Sequence, residues 1–294
     1  MAFVHSLVIS DGQHRKSAIE KGNGKSSGLF SLLTYFLGSN DNAVILPVED
    51  GKKEGMLRQL QDDARNIPGG NFLGAYIQSG RIMLVETSLF HQKGQDNADP
   101  EWVLKKWIEV AKGLRRKPTS KNVIIISDQP MVMKKVLRNN LHRLIEYESR
   151  VSEFGRLHQA TIRKLGLREA VCCYNKQTID KMEPRHLITL MRCHDSMVDL
   201  SRPERHALWH PIRIQNVISR GITSVLGRDS DRLIFHTLKV VYGIDREKVV
   251  SDPDVFEARL TKILGSSARV VIDSIASELR RDIYTFGEWD TAAC

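Results

Sequence analysis

Cysteine is scarce in this 294-residue chain, aromatic residues make up only 6% of it, and long apolar runs are missing. The four cysteines are Cys172, Cys173, Cys193 and Cys294, and none forms a C-x-x-C pair. Adjacent Cys172 and Cys173 do not suit a disulfide framework, so a reducing cytoplasm is the expected compartment. Structural zinc pairs are separated by about two to four residues, and Cys172, Cys173, Cys193 and His194 do not have that spacing. Buried apolar thiols are expected instead, with no metal and no cofactor. No stretch approaches the ~18–20 uninterrupted apolar residues of a membrane helix. The opening MAFVHSLVIS lacks both the basic flank and the long apolar core of a signal peptide, so no membrane partner is expected. His194 and Asp195, with Glu146 and Glu148, could be drawn as an acid–base set. No H-E-x-x-H or similar signature accompanies them, so the chain is read as a non-enzyme.

What is present is a localised positive charge. The net charge is +9. Residues 105–143 hold eleven Lys and Arg against two acids, Glu109 and Asp128, which equals the whole net charge. Such a patch attracts nucleic acid or an acidic partner, and Lys112, Arg115, Arg116, Lys117 and Lys121 are its nucleic-acid candidates. A solvated helix face with a basic loop is the plainer reading, because no aromatic residues interleave with the charge.

The first 200 residues alternate between two periodicities. Apolar β-branched runs predict strands at 3–10, 42–48, 81–86, 122–128 and 170–175, and Phe72–Gln78 also reads as a strand before the turn Ser79-Gly80. Helical patterns fall at 24–37, 52–64, 100–113 and 131–165, the last broken once or twice, with short helices at 176–181 and 184–192. Strands alternating with helices imply a mostly parallel α/β sheet covered on both faces. The expected domain spans 1–200, followed by a polar linker at 201–211. A small all-α domain at 212–290 has four helices, punctuated by Gly227, Gly243, Asp252-Pro253 and Gly265.

Gly24-Lys25-Ser26 is the tail of a phosphate loop, but Ile19 stands where the first glycine is needed and the first strand ends far upstream. A degenerate anion site at a helix start, with weak ATPase activity, is what this leaves open. Asp128 closes the strand NVIIISD, where open parallel sheets place their ligands.

The first 195 residues resemble the MEDS sensory domain of methanogens and methylotrophs. The resemblance rests on ordered pieces: His5 before HSLVIS, the stretch LLTYFLGSNDNAVILPV, Ser79-Gly80-Arg81 leading into a hydrophobic strand, and Asp99-Pro100-Glu101 opening a helix. It continues through the Tyr147-Glu148 helix, the strand Cys172-Cys173-Tyr174 and a late His194. It implies a RecA-like fold without an intact phosphate loop. Residues 212–285 resemble the fifth Nitrosopumilus output-domain family, through Phe235-His236, Tyr242-Gly243-Ile244, Asp252-Pro253 with Phe256, and Ile263-Leu264-Gly265.

Sensor joined to output implies a cytoplasmic one-component signal-transduction protein. An unknown small molecule would bind at the C-terminal edge of the sheet, and His5, Asp128, Glu148, Tyr174 and His194 would share one concave, preformed pocket. A RecA-like nucleotide-binding protein or ATPase, and a nucleic-acid-binding regulator using 105–143, are the alternatives. The last helix carries Ala268, Ile272, Ile275, Leu279 and Ile283 near heptad spacing, so a homodimer through the helical domain is expected.

Overall fold

A computed structural model describes residues 3–10, 28–65, 72–90, 99–115, 122–199, 202–208 and 210–285. The chain divides into two compact units. One comprises Met1–Gln177 with Ser196–His206; the other comprises Thr178–Asp195 with Ala207–Cys294. The helical unit thus includes a stretch that the sequence reading assigned to the α/β domain.

The first unit is a seven-stranded α/β sheet. Its strands are β1 (Val4–Ser10), β2 (Asn42–Val48), β3 (Ile82–Glu86), β4 (Asn122–Asp128), β5 (Leu167–Asn175), β6 (Ser196–Asp199) and β7 (Arg202–Leu208), in spatial order β3-β2-β4-β5-β1-β6-β7. The pairings from β3 across to β6 are parallel. The helices are α1 (Gly28–Leu37), α2 (Lys53–Arg65), α3 (Phe72–Gln78), α4 (Pro100–Arg115), α5 (Gln129–Lys135), α6 (Leu141–Leu157) and α7 (Gln159–Leu165). Every residue of β2 is buried, as a central parallel strand requires. On one sheet face Val8, Val44, Leu46, Ile124, Ile126 and Val171 pack with Phe30, Leu33 and Phe36 of α1, Leu60 of α2 and Leu73 of α3.

The five strands expected within residues 3–175 are present. Phe72–Gln78, however, is a helix. β2 and β3 are parallel neighbours, and only a crossover connection can join such a pair. The segment ends as helices do: the amide of Arg81 donates to the carbonyl of Tyr76, and Gly80 takes a left-handed φ of 73°. Arg81 then becomes a buried clasp. Its Nε donates to the carbonyl of Asn42 at 2.9 Å and its guanidinium to the carbonyl of Leu37 at 3.0 Å. It therefore satisfies the open C-terminus of α1. The polar linker reading is also corrected, since β7 occupies most of it and β6 precedes it. With four residues, β6 is too short to show a period.

The long helical stretch breaks twice. Arg138 and Asn139 adopt φ of 53° and 58°, and Asn140 caps α6 through the amide of Arg143. His158 separates α6 from α7.

The second unit contains α8 (Lys176–Asp180, which begins in the first unit), α9 (Pro184–Cys193), α10 (Pro211–Leu226), α11 (Ser230–Tyr242), α12 (Arg246–Ser251), α13 (Pro253–Leu264) and α14 (Ala268–Tyr284). No strand is described after residue 212. Asp245 and Asp252 cap α12 and α13 through the amides of Lys248 and Val255. α10 and α14 lie very close: a Cβ on Gly221 would sit 2.6 Å from Cα of Ile275. Ala268, Ile275, Leu279 and Ile283 are buried in this unit, and Ile272 is half-buried. The stripe expected to mediate a homodimer is therefore the core-facing side of α14. Asp282, itself buried, accepts from Arg213 Nε at 2.8 Å and from Arg220 at 3.3 Å, closing the same helix pair. Among the described residues, no helix is long and apolar enough to cross a membrane.

Candidate functional site

The sheet face opposite α1–α3 carries a buried polar cluster. Strand side chains alternate between faces, so the parallel register places His5 of β1 and Ala170, Cys172 and Tyr174 of β5 on one face. Ser127 of β4 lies directly across from Cys172 on that face. α6 covers it and contributes Glu148, which is buried with its neighbour Tyr147, whereas Glu146 is exposed. Gln129, the first residue of α5, reaches in from the end of β4.

These groups touch. His5 Nε2 lies 3.0 Å from Glu148 Oε2 and 3.3 Å from Cys172 Sγ. The Cys172 thiol donates to Glu148 Oε2 at 3.4 Å, and the Tyr174 hydroxyl donates to Glu148 Oε1 at 2.6 Å. Gln129 Nε2 donates to Cys172 Sγ at 3.0 Å. All five are buried, and Gln129 and Glu148 are 0% exposed. Burial, and then the neighbouring Glu148 carboxylate, pushes the Cys172 thiol well above its ordinary value. Burial does the same to the Tyr147 hydroxyl, reinforced by Cys172 and Glu148. A nucleophilic thiolate is not what this environment favours in the absence of a cation. A His, a carboxylate and a thiol within contact of each other are, however, the donor types of a transition-metal centre.

On the other face of β1 a smaller polar group closes the edge. Ser6 Oγ donates to Glu169 Oε1 at 2.6 Å and lies 2.9 Å from Ser196 Oγ. This trio ties β1 to both of its neighbours.

Of the five residues expected to share a ligand site, His5, Glu148 and Tyr174 meet within the first unit. Asp128 does not join them: it pairs in register with Cys173, on the opposite face from Cys172, and its side chain caps α5 at the amide of Met131. His194 belongs to the second unit, at the end of α9, with Nδ1 2.7 Å from the Leu190 carbonyl oxygen. The expected location is also corrected. The cluster lies on the sheet face beneath α6, sealed from solvent, rather than in a concave pocket at the C-terminal edge. An open cleft of about 500 Å³, lined by Met83, Glu86, Leu89 and Val110, lies elsewhere, beside β3.

Cys172 and Gln129 were missed from sequence. The signal for Cys172 was its period-two spacing from Tyr174, which puts both on one strand face; Gln129 carries no pattern at all. The expected anion site, Gly24, Lys25 and Ser26, lies outside the described residues. So do Arg116, Lys117 and Lys121 of the basic segment. Arg115 ends α4, and Lys112 is exposed on that helix. Part of the basic segment is already engaged, since Lys106 pairs with Glu109 at 2.7 Å and sits over the ring of Trp102.

Compared with protein families and with curated proteins, the chain matches no family model and no curated sequence.

Proposed function

We propose that this chain is a cytoplasmic one-component signalling protein whose α/β unit binds a small ligand and whose helical unit responds to it. The observation that carries the reading is the sealed His5–Glu148–Cys172–Tyr174 cluster. Buried ionisable groups are costly to a fold and concentrate where a protein binds or reacts. The thiol is held protonated by its surroundings, which favours binding over nucleophilic chemistry. Chain connectivity offers a direct route for relay. β5 carries Cys172 and Tyr174, and Thr178, just past its end, already belongs to the helical unit. The MEDS and output-module resemblances support the same division of labour.

Native mass spectrometry of the full chain isolated from its own host tests the reading. A stoichiometric bound mass is expected, lost in Glu148→Gln. Hydrogen exchange is expected to differ in α8–α14 between the loaded and stripped chain. A bare chain that instead hydrolyses ATP, with hydrolysis abolished by Lys25→Ala, overturns the reading in favour of a nucleotide-binding protein.

A further inference from the structure

The geometry points to a specific ligand chemistry at this cluster: we propose that His5, Glu148 and Cys172 bind a thiophilic divalent transition-metal ion, with Zn²⁺ the best fit. The inference rests on the binding role proposed above and names what is bound.

The distances carry it. Zinc bonds run about 2.3 Å to sulfur and about 2.0–2.2 Å to nitrogen or oxygen, so ligand atoms at the corners of a tetrahedron lie roughly 3.3–3.7 Å apart. His5 Nε2, Glu148 Oε2 and Cys172 Sγ form a triangle with sides of 3.0, 3.3 and 3.4 Å. Outward adjustments of a few tenths of an ångström open it to the coordination geometry. The donors also have their orientation fixed from behind, as metal ligands require. Tyr174 holds Glu148 Oε1 and leaves Oε2 facing the other two donors. Gln129 donates to Cys172 Sγ, which stabilises the thiolate once it forms. Binding releases the Cys172 thiol proton to solvent, and the sulfur lone pair so freed makes the bond to the metal.

A second observation points to an added species. Ser127 Oγ and Gln129 Oε1 are buried and have no hydrogen-bond partner among the described residues. Ser127 sits beside Cys172 and Gln129 is bonded to it. Buried oxygens left without donors are costly to a fold, so this pattern favours a missing donor at the cluster. A water or small molecule held beside the metal would supply such donors. Zinc fits best because thiolate, imidazole and carboxylate together match its borderline softness, whereas Mg²⁺ and Ca²⁺ call for oxygen-only sets.

The test uses the full chain, stripped with chelator and titrated with Co²⁺ and then Zn²⁺. One Co²⁺ per chain is expected, with a thiolate-to-cobalt charge-transfer band that Zn²⁺ abolishes. Cys172→Ser should lose the band, His5→Gln and Glu148→Gln should weaken binding at least 10-fold, and Cys193→Ser should bind as the parent does. Far-ultraviolet circular dichroism identifies variants that have not folded. A folded parent chain that takes up no stoichiometric Co²⁺, or a band that survives Cys172→Ser, overturns the metal assignment. A host-isolated chain carrying an organic mass and no metal also overturns it, while leaving the sensory reading intact. Stoichiometric metal with no change in α8–α14 hydrogen exchange does the opposite: it upholds the metal and removes the relay.

Discussion

His5 and Glu148, far apart in sequence, meet at 3.0 Å between Nε2 and Oε2 with side chains 1% and 0% exposed. β1 and α6 bring them together, and Tyr174 on β5 holds the second carboxylate oxygen. Such a pair is weak evidence for stability in its own right, because desolvation offsets the attraction. Its members nevertheless depend on one another.

That dependence gives the first prediction. In the metal-free chain, Glu148→Ala leaves His5, Tyr174 and Cys172 without their shared acceptor and should cost about 3–5 kcal/mol. Tyr174→Phe removes one bond to a charged group and should cost about 1.5–3 kcal/mol. The double variant should lose less than the two losses added together, since both act on the same contact. Urea unfolding in chelator measures all three. Strict additivity would mean that the hydroxyl and the carboxylate are not coupled.

The helix crossing at Gly221 gives the second. Alanine is the better helix former by about 1 kcal/mol. At Gly221, however, its Cβ would lie 2.6 Å from Ile275 Cα and 2.9 Å from Ile275 N, both backbone atoms that cannot turn aside. Gly221→Ala should therefore destabilise by about 1–3 kcal/mol as α10 and α14 are forced apart. Gly155→Ala meets only the ring of Phe3, at 2.6 and 2.9 Å, and a ring can rotate. Its loss should be smaller. Thermal unfolding of the two variants compares them directly, and equal losses would contradict the backbone argument.

Much of the α/β unit was legible in the sequence because its strands are buried on both sides. NVIIISD and NAVILPV are apolar at nearly every position, and only a central parallel strand needs that. Phe72–Gln78 was misread because seven residues hold barely two helical turns, too few for the 3.6 period to separate from a strand. The parallel pairing of its flanking strands decides the matter, and pairing is non-local. The site was half legible for a similar reason. His5, Glu148 and Tyr174 stand out as polar residues in apolar surroundings, while Cys172 looks like any buried small hydrophobe until the fold sets it against Glu148. The heptad-like stripe of α14 was visible, but a stripe does not say whether its partner is another chain or α10.

Glu257 on α13 supports a prediction about pH. Its Oε2 is buried without a hydrogen-bond partner, and burial raises its carboxyl above the ordinary value, opposed by the nearby Arg185. The folded state therefore holds this proton more tightly than the unfolded state does. The stabilisation belongs to the protonated form and is lost as pH rises through the folded-state pKa. At neutral pH the carboxylate is a burden on the fold. Glu257→Gln should relieve it, by about 0.5 kcal/mol once solvent screening of this half-buried group is allowed for. The advantage over the parent should shrink as pH falls into the carboxylate range. A variant less stable than the parent at pH 7 would show that the pairing with Arg185 outweighs burial.

The last prediction separates a core from an interface. Ile275 and Leu279 are 1% and 0% exposed within the helical unit, and Ile275 packs against α10 at Gly221. An aspartate at either position places an unpaired carboxylate in apolar surroundings and deletes a branched side chain. Each change alone costs several kcal/mol, so together they approach the ~5–15 kcal/mol that holds a typical domain. Ile275→Asp and Leu279→Asp should therefore lose cooperative unfolding of the helical unit, with reduced helical circular dichroism in the full chain. Had the stripe been a subunit interface, the same changes would leave a folded chain that sediments as a smaller species. Sedimentation velocity and circular dichroism on the same samples distinguish the two. A fully helical Leu279→Asp variant of reduced mass would return the stripe to the surface and require α10 to pack in some other way.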